Sequence, residues 1–190
     1  MNASVIFILI HQIIFQGMFF AKNVSLHRRL GIPIRGKNRE ANLSIGFIIL
    51  FILISLLLGL FEAPFGTFNL LKRTSALAIA LTLIVANLLM AVASLAGLRD
   101  SWRVGVMEDQ QTDLIEGGIY SFSRNPYFLS YLIMFVDYTV LLQNIILIVL
   151  SLIGFAMIHL MVLKEEKHLK VLHGEKYSEY KKKVPRYFII

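Results

Sequence analysis

Five apolar stretches, each close to the length of helix that crosses a bilayer, constrain this chain more than any other feature. A hydrocarbon layer takes about 20 apolar residues of α-helix to cross, and that ruler finds candidate spans at residues 5–20, 44–61, 75–98, 127–142 and 145–163. His11, Gln12 and Gln16 interrupt the first span, and the third is the cleanest. Only Gln143 and Asn144 separate the last two, so these are expected to form an antiparallel helical hairpin. Hydrophobic residues make up 57% of the 190 and charged ones 16%, with a mean hydropathy of +0.70. That is more apolar surface than one soluble core absorbs, and a bilayer is its natural solvent. The expected fold is a single all-α, polytopic membrane domain of about five transmembrane helices over residues 1–190, with a tail at 164–190. The opening Met-Asn-Ala-Ser has no basic region and no small-residue cleavage site follows it, so this segment is expected to remain as the first span.

The basic residues set an orientation. Lys22, Arg28, Arg29, Arg35, Lys37 and Arg39 lie between the first two spans, Arg99, Arg103 and Arg124 between the third and fourth, and eight more follow Leu163. With five spans all of these share one side, and only Lys72 and Arg73 fall on the other. The positive-inside rule then places the N-terminus outside and the C-terminus in the cytoplasm. The net charge of +7 is thereby accounted for by the membrane, and no soluble basic domain is left over to bind nucleic acid. There is no Cys, which excludes disulfides, thiolate metal sites and cysteine nucleophiles. The five His show no ligand-spaced pair, and no metal site is expected.

Two stretches outside the spans carry chemistry. The segment from Arg99 to Pro126 is long for a connection, holds an acidic patch (Glu108, Asp109, Asp113, Glu116), and has too many aromatic residues for a disordered loop. Taken singly, Trp102 and Tyr120 read as interfacial belt residues and Arg103 and Arg124 as lipid-phosphate contacts. The second stretch is Lys164-Glu165-Glu166-Lys167-His168. Adjacent acids on a helix point about 100° apart, so Glu165 and Glu166 are expected to face different surroundings. The helix is expected to run on to Gly174, a residue suited to the left-handed conformation that ends a helix. After it Tyr177, Tyr180 and Val184 fall at helical spacing, an amphipathic interfacial helix that Pro185 stops. Asp137 is the one acid deep in a span, and is expected to face the bundle interior or to pair there, with His11 or His159.

Taken together, these residues are recognisable. Trp102-Arg103-Val104-Gly105-Val106, then Leu114-Ile115-Glu116-Gly117-Gly118-Ile119-Tyr120, Arg124-Asn125-Pro126, Glu165-Glu166, and His173-Gly174-Glu175-Lys176-Tyr177 with Tyr180 resemble, in order and spacing, the isoprenylcysteine carboxyl methyltransferase and phospholipid methyltransferase superfamily. The resemblance covers about the last half of the chain. Better-known eukaryotic members carry Arg-His-Pro followed one residue later by Tyr, where this chain has Asn125 and Phe128. It looks more like prokaryotic members with Arg-Asn-Pro, which implies a bacterial inner membrane and weakens transfer of the isoprenylcysteine substrate.

The resemblance implies an enzyme that transfers the methyl group of S-adenosylmethionine to a lipidic or hydrophobic acceptor. Its cofactor pocket would be cytoplasmic, built by the segment between the third and fourth spans and the C-terminal helices. Arg124, Glu165 and Glu166 would carry catalysis, and Gly118, Tyr120, Arg124, Asn125, Pro126, Glu165, Glu166, His173 and Tyr177 would bind the cofactor. The chemistry suits those residue types: Arg124 as a fork for a carboxylate, Asn125 as donor and acceptor, and Glu165 or Glu166 for ribose hydroxyls, an ammonium group, or a proton from the acceptor. Tyr120, His173 and Tyr177 would help to close the pocket. Membrane lipids would surround the Phe- and Met-rich spans and share them with the acceptor's tail. Two other readings stand beside this one. An NADPH-dependent membrane reductase of related fold would be a much longer chain. A non-catalytic membrane scaffold or lipid-binding protein would have no need of Arg124, Glu165 and Glu166.

Overall fold

The computed structural model describes residues 3–36, 39–61, 65–105, 107, 110 and 112–188. Lys37 of the basic loop, Val106 of the Trp-Arg-Val-Gly-Val string, and Glu108 and Asp109 of the acidic patch lie outside the described residues. The described residues form helices α1 (Ala3–Leu30), α2 (Arg39–Phe61), α3 (Arg73–Leu98), α4 (Pro126–Leu142) and α5 (Ile145–Lys183), with 3-10 turns at Arg99–Ser101 and Gly118–Ser121. The apolar stretches thus become helices, and α2 to α4 end where the stretches do. Helix α1 outruns its stretch by ten residues to Leu30, its last turn carrying His27, Arg28 and Arg29 where cations complement unpaired carbonyls.

Helices α1, α2, α3 and α5 are long and apolar enough to cross a membrane. Helix α4 has 17 residues, about 25 Å at 1.5 Å per residue. It tolerates being short because it is the inner helix: Val136 is its one exposed residue, and its neighbours rather than lipid surround it. Pro126 starts it at a position where a missing N–H costs nothing, and Gln143 ends it in the left-handed conformation (φ 45°). The side chain of Asn144 then caps α5 by accepting from the Ile146 amide (2.9 Å). The expected hairpin of α4 and α5 is present. At Gly154 an added Cβ would stand 2.5 Å from Phe135, so the absence of a side chain is what lets these helices close.

The two ends of the bundle are stitched separately. At one end Gly36 N–H donates to Val104 O (3.0 Å) and Val104 N–H to Ile34 O (2.9 Å), joining the α1–α2 and α3–α4 segments. At the other, Phe68 N–H donates to Gln143 O (2.9 Å) and Ile145 N–H to Gly66 O (2.8 Å), joining the α2–α3 and α4–α5 connections. Successive helices therefore alternate in direction.

The polar residues of the first span are satisfied inside the bundle. The His11 ring lies 2.7 Å from the Tyr138 hydroxyl and 2.9 Å from Asn87 Oδ1, while Gln12 donates to the same hydroxyl (2.7 Å). Asp137 faces the bundle interior as expected, but it pairs with neither His. His11 is taken by Tyr138 and Asn87, His159 faces the Tyr187 hydroxyl at 3.3 Å, and both Asp137 oxygens are buried with no hydrogen-bond partner among the described residues.

Gly174 has the expected positive φ, 54°, and breaks the helix where expected; a second helical run follows the bend to Lys183. The apolar face of the run beyond the bend is covered by protein. Tyr177, Tyr180 and Val184 are buried, packed with Leu114 and Leu169, because the α3–α4 segment covers their face. Trp102 and Tyr120 likewise belong to the interior and not to an interfacial belt, at 1% and 6% exposure. Trp102 stacks on Phe19 and its indole N–H donates to Asn23 (2.6 Å).

Candidate functional site

A cavity opens where the α3–α4 segment meets the basic end of the helices. Its lining combines polar side chains (Arg103, Gln110, Asp113, Glu165 and His168) with an aromatic shelf of Trp102, Tyr120, Tyr127 and Tyr131. Apolar lining comes from Ile45 and Ile48 of α2 and Ile158 and Met161 of α5. Polar and apolar walls in one enclosure are the usual makeup of a ligand site.

The Arg-Asn-Pro string is held by the end of the chain. Arg124 donates through Nη1 to the carbonyls of Lys181 and Val184, both at 2.9 Å, and its main-chain N–H donates to Pro185 O (3.0 Å). Asn125 and Ser123 each donate a side-chain hydrogen bond to Arg186 O at 3.2 Å. The Tyr180 hydroxyl donates to Tyr120 O (2.6 Å). Tyr120 itself stands on α3 opposite Gly97, where an added Cβ would lie 3.1 Å from its ring.

Glu165 and Glu166 face different surroundings. Glu166 is the knot of the clasp: its carboxylate accepts from Arg124 Nη2 (2.8 Å) and Nε (3.3 Å), from Arg186 Nε (3.1 Å) and Nη2 (3.0 Å), and from Asn125 (3.3 Å). Burial alone would raise its pKa, but the hydrogen bonds and charges of Arg186 and Arg124 outweigh burial and hold it below its ordinary value. Glu165 is half-buried on the cavity wall. Burial first, and the Glu166 charge second, push its carboxyl up to about 7.

Of the residues singled out in the sequence, Tyr120, Arg124, Asn125 and Glu165 line the cavity. Glu166 stands behind Arg124 and Asn125, and Pro126 opens α4 beneath them. Gly118 takes a positive φ of 63° at the head of the turn that delivers Tyr120. His173 and Tyr177 are not among the cavity walls, but His173 Nε2 and the Tyr177 hydroxyl are buried without a hydrogen-bond partner. Arg124 has four of its five N–H groups in the bonds to Glu166, Lys181 and Val184.

Sequence reasoning missed Tyr127, Tyr131, His168 and Arg186. Tyr127 and Tyr131 are one turn apart on α4, immediately after the Arg-Asn-Pro string, and that spacing was the available signal. His168 sits three residues beyond Glu165 on the same helix face. Nothing local marks Arg186.

No curated protein matches the chain. Residues 75–176 match the sequence model of the phospholipid methyltransferase family. The match begins in the first turn of α3, takes in the whole α3–α4 segment and α4, and stops just past the bend at Gly174. With more than half of its length and the walls from Leu98 to Leu169 inside that match, the chain belongs to the phospholipid methyltransferase family, a family of membrane methyltransferases.

Proposed function

We propose that the protein is an S-adenosylmethionine-dependent methyltransferase of the bacterial inner membrane, N-terminus outside and C-terminus cytoplasmic, acting on a lipidic acceptor. The observation that carries the reading is one cavity whose lining combines a carboxylate, Glu165, with apolar side chains of α2 and α5. A charged cofactor and a lipid would meet there without either entering the wrong medium.

The residues fit the cofactor. Its ammonium and sulfonium call for a carboxylate and aromatic faces, which Glu165 and the shelf of Tyr120, Tyr127 and Trp102 supply. Its carboxylate, ribose and base call for donors and acceptors, for which Asn125, Arg103, Asp113 and Gln110 stand on the wall and the remaining Arg124 N–H lies nearby. When bound, the cofactor supplies an electrophilic methyl group.

The protein's own part is to hold, orient and desolvate. The clasp of Glu166, Arg124 and Arg186 fixes the loop that carries Tyr120 and Asn125, and the buried aromatic shelf excludes water. With its carboxyl near 7, Glu165 is divided between protonated and ionised forms at neutral pH, which suits a group that takes a proton from the acceptor. The test is transfer of labelled methyl from S-adenosylmethionine to lipid extract by detergent-purified protein. Lipid-soluble label that disappears in Glu165→Gln supports the reading; label retained at the wild-type rate in that variant removes Glu165 from it.

A further inference from the structure

After Pro185 the chain turns back along α5. Arg186 reaches the Glu166 carboxylate through Nε (3.1 Å) and Nη2 (3.0 Å), and its carbonyl accepts from Ser123 and Asn125, both at 3.2 Å. The next residue reaches well past that level. The Tyr187 hydroxyl lies 3.3 Å from His159 Nδ1, and the Tyr187 ring centroid lies 6.1 Å from that of His159 and 6.4 Å from that of Phe155. On α5 His159 and Phe155 precede Glu166 by about 10 and 16 Å along the axis, at 1.5 Å per residue. Both belong to the apolar run at 145–163, in a helix long and apolar enough to cross a membrane.

This part of α5 looks out of the bundle. Leu152 and Leu160 are each 66% exposed and Phe155 is 45% exposed, and in a span such surface meets acyl chains. A His here is costly in hydrocarbon unless its ring nitrogens find partners. Tyr187 brings one, while its ring packs against the edge of the core. Phe188 follows it, apolar and 52% exposed. We infer that the chain re-enters the bilayer after Pro185, seating Tyr187 and Phe188 at the boundary of headgroups and acyl chains in the leaflet at the basic end, and that this seat holds the Arg186 end of the clasp. The side chains suit that depth, because a ring with a polar tip is stable where one end is apolar and the other wet. The partner of the exposed Phe188 face is lipid, since that face continues the lipid-facing surface of α5. Nothing in this seat depends on which reaction the cavity performs.

Because the protein has no Cys, a single nitroxide can be attached at Phe188→Cys, with Leu160→Cys as the reference in lipid and Val171→Cys, 80% exposed beyond the spans, as the reference in water. In liposomes of phosphatidylethanolamine and phosphatidylglycerol, molecular oxygen concentrates in the hydrocarbon and a nickel chelate stays in water, so the ratio of their collisions with the label reports its depth. The ratio at Phe188 is expected to exceed that at Val171 severalfold and to approach that at Leu160. A ratio no higher than at Val171 overturns the inference. The hold on the clasp is read separately, by thermal unfolding of the full chain in the same liposomes. Phe188→Asp draws the seat toward water and is expected to lower the melting temperature by several degrees, whereas Phe188→Leu, which keeps an apolar side chain, is expected to melt as the parent does. Phe188→Asp protein that melts as the parent overturns the hold on the clasp, and Phe188→Leu protein that melts as low as Phe188→Asp overturns the lipid seat as its cause.

Discussion

Two adjacent carboxylates, Glu165 and Glu166, stand in opposite environments. Glu166 is buried and faces two guanidinium groups. Removing it leaves Arg124 uncompensated in the interior, and breaking a buried pair of this kind costs on the order of 3–5 kcal/mol. We expect Glu166→Ala to lower the melting temperature sharply and to weaken ligand binding only as a consequence of unfolding the clasp. Since its folded pKa is depressed, the stability it contributes is present above its ordinary value and is lost as pH falls through the folded one. Glu165 has the opposite sign. Its folded pKa is raised to about 7, so the stability it contributes is present below its ordinary value and declines as pH rises through 7. Glu165→Gln is therefore expected to abolish that decline in a melting series from pH 5 to 8, while turnover of the parent rises through about pH 7. A profile with the same midpoint in the variant would assign the titration to another group.

At the scale of elements, glycines mark where the helices may not be changed. Gly154→Ala places a methyl 2.5 Å from the Phe135 ring and is expected to cost about 1–3 kcal/mol, against a small effect at Gly17, where nothing lies within 4 Å. Denaturant or thermal unfolding in detergent distinguishes the two. Element boundaries were legible because apolar length and polar punctuation are local: the Gln143-Asn144 turn, Pro126 at the start of α4 and the bend at Gly174 could all be read from residues within a turn of each other. The clasp was not legible, since Arg124 reaches acceptors 57 and 60 positions away and Arg186 reaches back 20 positions to Glu166. Two adjacent acids say that they diverge by about 100°, but only the partners brought by the rest of the chain say which one is taken. The expected pairing of Asp137 with a His failed for the same reason, because the nearest base in its region of the bundle had other partners.

At the scale of the whole molecule, the stitching of alternate connections at opposite ends turns a charge count into a topology with a testable sense. Leu70 and Val171 are both 80% exposed, one in the α2–α3 connection and one on α5 beyond the spans. In intact cells a membrane-impermeant maleimide is expected to label Leu70→Cys and to spare Val171→Cys until the membrane is opened; the reverse pattern would invert the orientation. The clasp joins residues inside the family match to Arg186, which lies beyond it. Calorimetric titration of S-adenosylmethionine and its demethylated product, with NADPH as control, tests whether the cavity with Glu165 on its wall takes the cofactor. Saturable binding of the first two and none of NADPH is expected, with affinity reduced at least tenfold, or about 1.4 kcal/mol, in Glu165→Gln protein that melts as the parent does; well-folded protein that binds neither, or binds NADPH instead, overturns the proposed function.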